Sequence, residues 1–74
     1  MQPMPVAAPV LTLNGEPHAL PEPPTVAALL AAIGLDGRKV AVERNEEIVP
    51  RSRYAEAALL AGDRLEIVHF IGGG

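Results

Sequence analysis

Residues 25 to 34 carry the one helical signature in this chain, and it limits what the rest can become. Val26, Leu29, Leu30 and Ile33 recur at i, i+3, i+4 and i+7, the spacing that lines one face of an α-helix with apolar side chains. Thr25 stands at the N-cap position, where a hydroxyl can accept from the first free N–H groups. Gly34 stands where a residue of positive φ stops a helix, and Leu35 is placed to pack back over the end. Ala27, Ala28, Ala31 and Ala32 fill much of the remaining surface, favouring the helix without demanding burial. The expected helix therefore spans about residues 26 to 33. A single stripe of this kind covers one face of a small sheet, which points to a two-layer α+β domain.

The flanking sequence supplies that sheet. Pro9 to Leu13 is rich in strand formers, and Asn14-Gly15 is a strong hairpin signal because both central residues of a type I′ turn need positive φ. Glu16 to Leu20 is the returning strand. Pro17 has no N–H to donate, so that strand belongs at a sheet edge. Pro21 to Pro24 forms a stiff connector to the helix. After the Asp36-Gly37 turn, Val40 to Arg44 reads as a third strand with Val40 and Val42 on one face. Asn45-Glu46 turns the chain into a short fourth strand, Glu47 to Val49, closed by Pro50. Arg51 to Leu60 has no clean period; Tyr54, Leu59 and Leu60 are expected to pin it to the core. Gly62-Asp63 makes another turn, and Arg64 to Phe70 is the longest strand. Leu65 and Ile67 alternate with Glu66, but Val68, Phe70 and Ile71 are apolar as well. The end of that strand is therefore either buried on both faces or presents an apolar patch.

Seventy-four residues make one small domain, and with nearly half of them apolar a packed core is expected rather than global disorder. Residues 1–8 are proline-rich and read as a loose arm, 9–71 as the domain, and 72–74 as a flexible tail. The absence of cysteine excludes disulfides, thiolate metal sites and a catalytic thiol. Met1 to Pro5 has neither the basic nor the apolar region of a signal peptide, and no apolar run approaches the roughly 20 residues of a membrane span. A cytoplasmic location is expected. The net charge of −3 with interleaved signs points away from nucleic acid and membrane surfaces as partners, and a monomer is expected for the chain alone.

Internal chemistry is sparse. His18 and His69 are far apart and lack spaced acidic partners, so no metal site is expected; His69 reads as a surface or partner-facing residue. Ser52 has no triad relationship to either histidine. Arg51 and Arg53 read as a solvated loop, and Glu46-Glu47 as neighbours that point apart. Gly72-Gly73-Gly74 is no phosphate loop, because no helix follows it. The glycines do form a thin peptide whose backbone can approach another surface closely. The α-carboxylate of Gly74 is the distinctive group at its tip, with Val68, Phe70 and Ile71 just before it as candidate docking residues.

Four blocks carry a family likeness: Leu13-Asn14-Gly15-Glu16; Thr25-Val26-Ala27-Ala28-Leu29-Leu30; Ala41 to Arg51; and Gly62 to Val68 with the glycine end. Together, in order over residues 10 to 74, they resemble the ThiS family of sulfur carriers of thiazole biosynthesis, within the ubiquitin-like β-grasp proteins. The block Asn45 to Arg51 is the part most particular to the thiazole branch. The resemblance implies a mixed four- or five-stranded sheet, its first and last strands parallel at the centre, with the helix across one face. It implies a carrier, not an enzyme. An E1-like adenylyltransferase (ThiF type) uses ATP and Mg²⁺ to convert the Gly74 carboxylate to an acyl-adenylate. Sulfur from a persulfide donor then displaces AMP and leaves a thiocarboxylate, which a thiazole synthase (ThiG type) consumes in thiamin biosynthesis. Gly72 and Gly73 thread the partner's active site, and no cofactor is bound by the carrier. The family pattern has two terminal glycines where this chain has three. Two other readings of the same residues are the small subunit of molybdopterin synthase and a β-grasp protein-binding module without tail chemistry.

Overall fold

Asn14 and Gly15 take φ values of 48° and 86°, and the tight turn they make folds β1 (Val10–Leu13) back as β2 (Glu16–Ala19). Leu11 pairs with His18 and Leu13 with Glu16. In this computed structural model, which describes residues 9–70, β2 stops at Ala19, one residue short of the expected Leu20. The expected arm at 1–8, and Ile71 with the glycines at 72–74, lie outside the described residues.

The helix α1 covers Val26–Ile33, as its stripe requires. The Thr25 hydroxyl accepts from the Ala28 N–H at 3.1 Å. Gly34, at φ 78°, ends the helix: its N–H donates to the Ala31 carbonyl at 3.2 Å, and the Leu35 N–H to the Leu30 carbonyl at 2.9 Å. These are the paired closing bonds of a Schellman motif, and Leu35 packs against the core as anticipated.

A second hairpin joins β3 (Val40–Arg44) to β4 (Glu47–Val49), turning at Asn45 and Glu46, which also have positive φ. The last strand, β5 (Arg64–His69), inserts between β1 and β3. It runs parallel to β1, with Leu13 opposite Leu65, and antiparallel to β3, with Val42 opposite Ile67. The result is a five-stranded mixed sheet in the order β2-β1-β5-β3-β4. Pro17 sits on the outermost strand β2, as a residue without an N–H must.

Val26, Leu29 and Leu30 from α1 pack with Leu11, Val40, Val42 and Leu65 from the sheet to form the core. Tyr54 and Leu59 close it from the irregular segment. That segment also supplies what a helix start lacks, partners for its first N–H groups. Val26 donates to the Ala57 carbonyl at 3.0 Å and Ala27 to the Tyr54 carbonyl at 2.8 Å. The expectation for Leu60 does not hold, for Leu60 is 61% exposed. Around it the chain is extended: Ala58 bridges to Thr25, and Leu59 donates to the Pro24 carbonyl at 2.8 Å. Adjacent side chains on extended backbone point opposite ways, so burying Leu59 turns Leu60 to solvent.

Candidate functional site

The end of β5 resolves the ambiguity in its apolar run. Residues directly opposite in a ladder share a face of the sheet. Ile67 lies opposite Val42 and His69 opposite Val40, so both belong to the helix-covered face; Val68 lies opposite Ala41 on the other face. Alternation puts Phe70 on the side of Val68. Val68 is 58% and Phe70 53% exposed, so Phe70 is no part of the core. Ile48, opposite Glu43, shares this open face and is 72% exposed. The strand that leads toward the glycines thus presents an apolar patch on the face that no helix covers. Ile71, Gly72, Gly73 and Gly74 lie outside the described residues.

Two polar devices set where β5 lies. At the N-terminal end, the buried Asp63 carboxylate accepts from Arg44 Nε at 2.8 Å, from Asn45 Nδ2 at 3.1 Å and from the Leu60 N–H at 2.8 Å. Burial pushes this carboxyl up, but the Leu60 N–H, Arg44 and Asn45 outweigh it and hold the group below the ordinary carboxylate value. Asn45 also accepts from the Arg64 N–H at 2.9 Å through its side chain. The turn between β3 and β4 is thereby tied to the start of β5.

Midway along β5, the Asn14 side chain does the work of a missing strand. Its Oδ1 accepts from the Ile67 N–H at 2.8 Å and its Nδ2 donates to the Ile67 carbonyl at 3.3 Å. Sequence reasoning found Asn14 as a turn former and Gly62-Asp63 as a turn, but not these two roles; each depends on a partner about 19 or 53 residues away.

The remaining candidates stay apart. His18 is on the edge strand β2 and His69 on β5, with β1 between them, and among the described residues no three metal-ligating side chains converge. Arg53 pairs with Glu56 at 3.6 Å, and Arg51 donates to the Arg38 carbonyl at 3.3 Å; both arginines are exposed. No helix among the described residues is long and apolar enough to cross a membrane.

One helix across a five-stranded mixed sheet, with first and last strands parallel and adjacent, defines a β-grasp domain of the ubiquitin-like class. The model of the ThiS family matches residues 8–74, and the chain belongs to that family. It is 50% identical over 50 residues to the sulfur carrier protein ThiS of Bacillus subtilis, covering 68% of this chain and 76% of that one. A crystal structure of the thiamine biosynthesis protein ThiS from Geobacter metallireducens superposes with a TM-score of 0.70 at 32% identity, over 88% of this chain and 99% of that one. A thiazole synthase of Paramagnetospirillum magneticum is 59% identical over 64 residues, which are 86% of this chain. The chain spans only about a fifth of the length of that relative (20%) and of a similar thiazole synthase from Magnetococcus marinus (19%).

Proposed function

We propose that this domain is a protein sulfur carrier for thiazole formation in thiamin biosynthesis, with the Gly74 carboxylate as its reactive group. The observation that carries the reading is the end of β5. The sheet's central strand leads from an exposed apolar patch, Val68 and Phe70, directly into three residues without side chains. The patch docks the carrier on a ThiF-type adenylyltransferase while Gly72 and Gly73 thread its active site. The Gly74 carboxylate attacks the α-phosphate of Mg²⁺-bound ATP, giving an acyl-adenylate and pyrophosphate. A persulfide donor attacks the acyl carbon, AMP leaves, and thiol reduction of the new S–S bond frees the thiocarboxylate. A ThiG-type thiazole synthase then takes the sulfur. The carrier itself is a co-substrate, binds no cofactor, and works in the cytoplasm. Membership of the ThiS family supports the thiamin branch over the molybdopterin one.

The two long thiazole synthase relatives favour a second reading of the same domain, as one part of a longer thiazole synthase chain. There, Gly74 is followed by a peptide bond, and its carboxylate is released only by cleavage.

The test is ATP-dependent replacement of one oxygen by one sulfur on the C-terminal peptide, using purified adenylyltransferase and a persulfide donor. Deleting Gly74 shortens reach by about 3.3 Å and should reduce loading. Adding an alanine hides the Gly74 carboxyl in a peptide bond, and Gly73→Val puts a branched side chain where close approach is needed; both should nearly abolish loading. Normal loading of the untrimmed alanine-extended protein would refute the role of Gly74. The intact mass of the protein isolated from its own cells separates the free carrier from the longer chain.

A further inference from the structure

On its β1 side, β5 outruns its neighbour. Alternate residues of β5 direct their backbone groups to alternate sides. Arg64 faces β3, since its carbonyl accepts from the Asn45 N–H at 2.8 Å; Phe70 does too, donating to the Lys39 carbonyl at 2.8 Å. Odd-numbered residues face β1: the Asp63 carbonyl accepts from Thr12 and the Leu65 carbonyl from Asn14, both at 2.8 Å. β1 then ends at Leu13, where the Asn14-Gly15 turn carries the chain away. The Asn14 side chain satisfies both backbone groups of Ile67, and there the run of partners stops.

His69 is the next residue facing that side, about 6.6 Å further along the strand. It is exposed, and among the described residues nothing takes its N–H or its carbonyl on the β1 side. The strand is meanwhile held straight by β3 through Val40 opposite His69. We propose that this edge at His69 is a strand-addition site. An extended segment of the adenylyltransferase pairs there with β5, prolonging the line of β1 beyond the hairpin. Main-chain pairing of this kind gives affinity with little demand on side chains. It also fixes the direction in which the chain beyond Phe70 is aimed. The inference rests on the carrier reading above and adds a second, backbone-based contact to the apolar one on the sheet face.

Amide hydrogen exchange of the intact protein tests it. Alone, the Ile67 amide should be protected and the His69 amide should exchange quickly at every protein concentration. Saturation with purified adenylyltransferase should protect His69. His69→Pro removes only an N–H directed away from β3, and proline is tolerated at such positions; it should weaken the complex about three- to tenfold. His69→Ala, which keeps the N–H, should bind as the parent does. A complex that forms with His69 still exchanging quickly overturns the strand-addition site and leaves the carrier reading standing. So does protection that appears in the carrier alone as concentration rises, which assigns the edge to a second copy. No binding of the parent protein overturns both.

Discussion

Asp63 shows how one side chain organises three backbone segments. Its carboxylate joins Arg44, Asn45 and the Leu60 N–H, while its own carbonyl accepts from Thr12. Because its folded carboxyl is held below the ordinary value, it contributes stability that is fully present above the unfolded value of about 3.9. That contribution is lost as pH falls through the lower folded value. Asp63→Asn places an amide among three donors and should cost about 1.5–3 kcal/mol at neutral pH, the range for hydrogen bonds to a charged group. The gap in melting temperature between parent and variant should be constant from pH 7 to about 5 and narrow below about pH 4. Taking the difference matters, because the Asp36 carboxyl, held at about 2 by its Arg38 partner, titrates in both proteins. A gap that stays constant down to pH 2 would show that charge at Asp63 contributes nothing. The turn at Gly62-Asp63 was legible in the sequence, as was the one at Asn14-Gly15. Their side-chain roles were not, because the Arg44 and Ile67 partners are chosen by strand order, which local patterns do not encode.

At the scale of elements, α1 was legible to its last residue because cap, stripe and stop agree. Thr25, the Val26/Leu29/Leu30/Ile33 spacing and Gly34 are local signals, and each is realised by a bond or a burial. The segment from Arg51 to Leu60 was legible only in part, since its job is tertiary: it terminates the N–H groups of α1 and lends Tyr54 and Leu59 to the core. Two adjacent leucines offer no period to choose between, and extended backbone selects Leu59. Within this layer Leu29 is fully buried between helix and sheet. Leu29→Ala should cost about 2–5 kcal/mol, a large share of the roughly 5–15 kcal/mol that holds a domain together. Urea unfolding measures it, and a midpoint unchanged by the substitution would mean that the α1 stripe does not carry the core.

For the molecule as a whole, one helix covers one sheet face and leaves the other bare. The sequence showed an apolar surplus at the end of β5 but not its direction, because Val68, Phe70 and their neighbours lack alternation. Register supplies the direction, since pairing Ile67 with Val42 forces Val68 outward. The consequence is that stability and partner binding reside on opposite sides of one strand. Leu65, 1% exposed, serves the core; Phe70 serves the open face. Phe70→Ala should therefore change folding stability by less than about 1 kcal/mol, as surface substitutions do. The same variant should weaken the adenylyltransferase complex by about 2 kcal/mol or more, roughly 30-fold, if Phe70 is a central anchor of the interface. Calorimetric titration alongside urea unfolding separates the two effects. Loss of both together would return Phe70 to the core, and loss of neither would leave the patch without a partner role. The charged neighbours on that face, Glu43 and Glu66, lie opposite each other between Ile48 and the β5 end. Their repulsion across the ladder disfavours edge-on stacking of two bare faces, which suits a face that must stay open until its partner arrives.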